Sequence, residues 1–163
     1  MKRRKEHVNI FIAVLLAVSM LLPSISAAAR EQEPVETGKE NVIDVTDYGA
    51  DPTGVKDSAE AVWDALQAAK AMEEDGEPVT LNFPKGEYHI YKDQAQVREY
   101  HTSNTNSIQS PQKTIGILID GHENLTVEGN DSLFMMHGNM MALAVVDSRN
   151  VTLQNFSWDF AVP

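Results

Sequence analysis

Two six-residue stretches, Asn124-Leu-Thr-Val-Glu-Gly129 and Asn150-Val-Thr-Leu-Gln-Asn155, repeat one pattern 26 positions apart. Each follows an apolar run, Ile115 to Ile119 before the first and Ala142 to Val146 before the second. Each also precedes one, Leu133 to Met136 and Phe156 to Phe160. Strand, turn, strand, turn, strand at a fixed period is the signature of a β-solenoid. One such unit cannot bury its inward face. Stacked units make a continuous core and pair each strand with its equivalent one unit away.

The residues before the repeat predict an entry to such a stack. Val42-Ile43-Asp44-Val45 reads as a short strand. Tyr48-Gly49-Ala50-Asp51-Pro52-Thr53-Gly54 then turns the chain, since the glycines permit positive φ and Pro52 fixes a turn. Asp57 is expected to start a helix, accepting from its first N–H groups, with Glu60 placed as in a capping box. Ala59, Val62, Trp63, Leu66 and Ala69 follow helical spacing, and Trp63 is expected in the core. Glu73-Glu74-Asp75-Gly76 ends the helix at a glycine stop, where acidic side chains oppose the dipole and predict fraying. Val79 to Phe83 and Glu87 to Tyr91 alternate as strands around Pro84-Lys85-Gly86. Residues 92–113 are polar and read as a long loop, of a length that usually signals binding or disorder.

The first 29 residues read differently. A basic cluster (Lys2, Arg3, Arg4, Lys5), an apolar run from Ile10 to Leu22 and small residues from Ser24 to Ala29 form the layout of a secretory signal peptide. The run is short of the roughly 20 residues a membrane span needs, so no stable span is expected after cleavage. Residues 30–41 read as a flexible acidic leader. The whole 163-residue chain carries a net charge of −11; without residues 1–29 it holds nine basic and 23 acidic residues, a net of −14. Such a surface repels nucleic acid and anionic membranes. Cysteine is absent, so no disulfide supports the fold. The expected destination is outside the cell or in its envelope.

Val45-Thr-Asp-Tyr-Gly-Ala-Asp51, the helix near Asp57 and Phe83-Pro-Lys-Gly-Glu-Tyr88 resemble the entry cap of the pectin-lyase-like superfamily. The resemblance implies a right-handed parallel β-helix with an N-terminal capping α-helix over residues 42–163, truncated where the chain stops. A narrower match adds Val97-Arg-Glu-Tyr100, Ser103-Asn104, Phe134-Met-Met-His-Gly138 with Met140, and Asn155-Phe-Ser-Trp-Asp-Phe160. In that order they resemble the N-terminal region of the α-1,3-galactosidases of glycoside hydrolase family 110. That implies a carbohydrate partner, terminal α-galactosides including the blood-group B determinant, and an inverting hydrolysis. One carboxylic acid would protonate the leaving oxygen while a second carboxylate activates water, the two about 6.5–9.5 Å apart. The pair is expected on later coils, so no catalytic residue is assigned here and the chain alone is expected to be inactive.

Three residues remain as candidate sugar contacts. In Phe156-Ser-Trp-Asp-Phe160 the two-residue period puts the aromatics on one face and Asp159 on the other. If the aromatics fill the core, Asp159 faces outward, as a groove residue or a solvated one. Arg98 would bind a sugar hydroxyl or pair with Glu99 or another acid, and His137 would touch ligand or line a turn. Five histidines without i,i+4 pairing support no zinc site. No phosphate loop or Gly-x-Ser-x-Gly occurs, and no cofactor is implied. Asn124-Leu-Thr126 and Asn150-Val-Thr152 match glycosylation acceptors but read as turn asparagines opening strands. Two other readings stay open: a polygalacturonase- or pectate-lyase-type β-helix enzyme, and a non-catalytic β-helix adhesin or fibre.

Overall fold

Alternation of buried and outward residues recurs on strand after strand, and parallel pairing aligns those alternations into columns. The computed structural model describes residues 41–73, 76–100 and 110–161; the expected signal peptide, nearly all of the expected leader and Ser103-Asn104 lie outside them. The strands are β1 (Asn41–Asp44), β2 (Thr53–Asp57), β3 (Val79–Asn82), β4 (Glu87–Tyr91), β5 (Gln96–Glu99), β6 (Gln112–Asp120), β7 (Leu125–His137), β8 (Met141–Val146) and β9 (Thr152–Phe160). One helix, α1 (Ala59–Glu73), and a 3-10 turn at Val45–Tyr48 complete the described elements. Among the described residues the architecture is mostly β, with largely parallel sheets, one of them curled, and a single α-helix.

The sheet β1-β3-β7-β4-β2 bends at β7, whose first arm pairs with β3 and whose second arm pairs with β4. β9 lies along the far side of both arms. A second sheet runs β5-β6-β8. Val79 pairs with Leu125, Tyr88 with Phe134 and Ile90 with Met136, all buried. Rings of Phe83, Tyr88 and Phe134 meet at 4.9–5.9 Å in the centre.

The repeat survives as hydrogen-bonded register. Thr126 pairs with Thr152 and Ile115 with Met141, both 26 residues apart. Asn124 and Asn150 open their strands at φ 60° and 54°, and the Asn150 amide donates to Asn124 Oδ1 at 2.7 Å. Beyond the corner the spacing falls to 24, because Ser132 pairs with Phe156. The corner in β7 holds Asn130 and Asp131 at positive φ where β9 has Asn155 alone. Gly129 is required there, since a Cβ would sit 2.5 Å from Phe156 Cβ.

Several expectations need correction. The loop over 92–113 contains β5, which pairs antiparallel with the start of β6, Gln96 opposite Ile115 and Glu99 opposite Gln112. That pairing satisfies backbone groups whose side chains show little apolar alternation. Asp57 ends β2 instead of starting the helix; the Ser58 carbonyl accepts the Val62 N–H, so the helical residues begin at Ala59. Asp57 Oδ1 still accepts from Ala59 N at 2.9 Å, and also from Tyr91 N at 3.1 Å. Trp63 is half-buried, outside the core, with the Arg98 guanidinium 5.5 Å from its ring centroid.

The helical residues end at Glu73, and Gly76, φ 78°, the expected glycine stop, donates its N–H to the Glu73 carbonyl. Glu73, the last residue of the helix, is held in place. Its buried carboxylate lies 2.8 Å from His122 Nδ1 and accepts the Glu123 N–H at 2.8 Å. Through Ala61, Val62, Ala65, Leu66 and Ala69 the helix joins the core, packing against the 3-10 turn, β1, β3, β4 and β6. At the opposite side Phe156 packs on the core, whereas Trp158 and Phe160 are 54% and 43% exposed. Among the described residues no helix is long and apolar enough to cross a membrane.

Candidate functional site

A strand whose inward residues fill the core presents its alternate residues on the opposite face. In β4 the inward residues are Tyr88 and Ile90, which leaves Glu87, His89 and Tyr91 outward. In the second arm of β7 the inward residues are Phe134 and Met136, leaving Leu133, Met135 and His137. Parallel register turns these into rows. Asp57, His89, Met135 and Asp159 stand side by side on β2, β4, β7 and β9, and Tyr91 stands beside His137.

The polar side chains form a chain of contacts. His89 Nε2 lies 2.8 Å from Glu87 Oε1, and His89 Nδ1 lies 3.2 Å from His137 Nε2. In the tautomer in which His89 Nε2 donates to the Glu87 carboxylate, His89 Nδ1 accepts from His137 Nε2, which leaves His137 Nδ1 as an acceptor. Tyr91 stacks on His137, ring centroids 4.1 Å apart and planes within 9°. Burial, reinforced by the neighbouring His89, lowers the His137 pKa below 6.5, against the opposing pull of Asp57 and Glu87. His137 is therefore held as a neutral imidazole over more of the pH range than a free one. Asp57 contributes a buried oxygen, Oδ2, that has no hydrogen-bond partner among the described residues.

Among the described residues no group of three or more His, Cys, Asp or Glu is arranged to hold a metal ion. Planar rings, outward carboxylates and an imidazole acceptor can meet the C–H faces and hydroxyls of a sugar.

No protein-family model matches the chain. Alpha-1,3-galactosidase A of Streptomyces avermitilis is 40% identical over 156 residues, covering 94% of this chain and 24% of its own length. Alpha-1,3-galactosidase A of Peterkaempfera griseoplana is 42% identical over 131 residues, 78% of this chain and 17% of its own length. Alpha-1,3-galactosidase B of Bacteroides fragilis is 34% identical over 151 residues, 92% of this chain and 24% of its own length. The chain belongs to the α-1,3-galactosidase family. It spans between about a sixth and a quarter of the length of these curated relatives.

Within this galactosidase-family chain, two of the three candidates fall on one face. Asp159 is exposed in the row of His89 and Met135, its Oδ1 accepting the Phe160 N–H at 2.8 Å. His137 ends β7 against Tyr91. Arg98 lies elsewhere, on β5, with its Nε 3.9 Å from Asp120 Oδ2 and its guanidinium over Trp63. Those contacts tie β5 to the helix and to the end of β6. Sequence reading passed over Glu87, His89, Tyr91 and Asp57. The signal for three of them was present, because alternation in Glu87-Tyr-His-Ile-Tyr91 already assigns them one face.

Proposed function

We propose that residues 42–163 form the entry cap and first coils of a right-handed parallel β-helix in an exported α-1,3-galactosidase-type glycoside hydrolase. The observation that carries this is the identity of 40% across 94% of the chain to an α-1,3-galactosidase. The parallel 26-residue register and the helix packed over the first strands support the β-helix. Residues 1–29 are the export signal and residues 30–41 the leader that follows it.

In this reading the substrate is a terminal α-linked galactoside. The acid and base carboxylates of an inverting hydrolysis stand on coils beyond those described, and the chain of 163 residues is inactive alone. The outer face contributes to holding the sugar: Asp159 accepts from a hydroxyl and His137 Nδ1 accepts from another. Arg98 acts on substrate only indirectly, by fixing β5.

The test is a chimera in which residues 42–163 replace the matching stretch of the Bacteroides fragilis α-1,3-galactosidase B. The expected result is a folded chimera that releases galactose from an α-1,3-linked galactobiose, with the product first appearing as the β-anomer by NMR. A folded chimera without activity would count against the assignment. Release of the α-anomer would count against inversion.

A further inference from the structure

Next to the Tyr91–His137 stack the chain turns twice, and the two turns enclose a recess of about 310 Å³. That volume suits a single monosaccharide-sized group, at the small end of ligand sites. Its walls come from the residue after β4 (Lys92), the start of β6 with Ser110 (Gln112, Lys113, Thr114) and the β7–β8 turn (Asn139, Met140). Among the described residues no carboxylate lines it. On a chain of net charge −11 this concentration of two lysines is against the trend.

The lysines are placed by backbone. Lys92 N donates to the His137 carbonyl at 3.0 Å. Gly138, φ 103°, lacks the Cβ that would sit 3.1 Å from Lys92 Cβ, so the lysine stem lies along bare backbone. The Lys92 ammonium has no hydrogen-bond or ion-pair partner among the described residues. Lys113 Nζ donates to the Ser110 carbonyl at 2.6 Å, which leaves two of its three protons without a partner among the described residues. Two ammonium groups with spare donors, beside side-chain amides of Gln112 and Asn139, match the oxygens of an anion carried on a sugar.

We propose that this recess is a subsite for an acidic sugar substituent, a carboxylate or a sulfate ester, on a glycan whose neighbouring unit lies over Tyr91 and His137. The inference rests on the carbohydrate reading above and adds the charge of the ligand to it. The test uses the full-length chain and isothermal titration with three oligosaccharides of equal length: neutral α-galactosyl, uronate-bearing and sulfate-bearing. The acidic probes should bind about tenfold tighter at low salt, roughly what two partly exposed charge contacts supply. The advantage should fall as salt rises, and Lys92→Gln with Lys113→Gln should abolish it while neutral binding persists. Preference for the uronate alone or the sulfate alone would identify the group. Equal binding of neutral and acidic probes, or a preference that survives the double substitution, would overturn the subsite and leave the galactoside reading standing. Absence of binding to all three would remove both.

Discussion

Phe134 and Trp158 occupy one inward column on neighbouring strands, and replacing each by alanine measures how far the core is closed above it. Phe134 is 1% exposed, with the rings of Phe83, Phe156 and Tyr88 at 4.9, 5.0 and 5.9 Å. Its truncation leaves a cavity walled by rings, a change that costs about 3–5 kcal/mol. Trp158 is 54% exposed. Taking about 200 Å² for a fully covered indole, roughly 100 Å² is withdrawn from water, worth about 2.5 kcal/mol at most. Residual burial in the denatured chain lowers this, and solvent fills the gap so no cavity forms. Phe134→Ala should therefore cost ~4 kcal/mol and Trp158→Ala ~1.5 kcal/mol. Urea unfolding followed by far-UV circular dichroism gives both values from the midpoints, provided the slope is unchanged. If Phe134→Ala does not fold, Phe134→Leu and Trp158→Phe should keep the same order. Equal costs would refute the assignment of Trp158 to an uncovered column end.

Three further expectations follow from the buried and titrating groups. Glu73→Ala strips a buried histidine of its partner, since the two side chains are 5% and 0% exposed, and should cost about 1–3 kcal/mol by urea unfolding, the penalty of a buried polar group left unsatisfied; a cost near zero would show that the helix end is not held there. Asp51 accepts from the Thr53 hydroxyl and N–H and from the N–H groups of Val55 and Lys56, which bring its carboxyl from 3.8 down to about 2. A folded pKa below the unfolded one stabilises at pH above about 4, and that contribution is lost as pH falls through about 2. Asp51→Asn should flatten this limb of an acid-unfolding curve, and an unchanged curve would argue against the turn. His137, also depressed, favours the fold above its unfolded pKa of about 6.5 and less so as pH drops below it. In an NMR titration His89→Ala should raise the His137 midpoint, and a midpoint that stays or falls would discount the coupling.

The inner half of the fold was legible because burial imposes a period of two. Val79, Leu81, Tyr88, Ile90, Leu125 and Val127 alternate in the sequence and are buried in the structure. Turn asparagines were legible for a similar reason, since few residues other than glycine tolerate positive φ as Asn124 and Asn150 do. Tertiary context decided the rest. Nothing local marks Gln96 to Glu99 as a strand; its partner, the start of β6, supplies the hydrogen bonds. Trp63 sits at a helical-face position yet is half-buried, because Arg98 from β5 covers it instead of the core. Glu73 looked like a misplaced charge until His122, 49 residues later, came beside it.

The outer site was harder to read for a geometric reason. Its rows join residues 32, 46 and 24 positions apart: Asp57 to His89, His89 to Met135 and Met135 to Asp159. A uniform 26-residue repeat would set Asp159 opposite Leu133, in the row of Glu87. The β7 corner holds two more residues than its counterpart in β9, and this moves Asp159 along by two, beside Met135 and His89. Because two is even, the insertion changes the row without exchanging the faces. Trp158 and Phe160 thus stay in the inward columns of Phe134 and Met136, and Asp159 stays outward. A one-residue change at that corner would turn Asp159 into the inward column of Phe134 and Met136 and move both aromatics to the outer face, so the corner length is under a stricter constraint than the corner sequence.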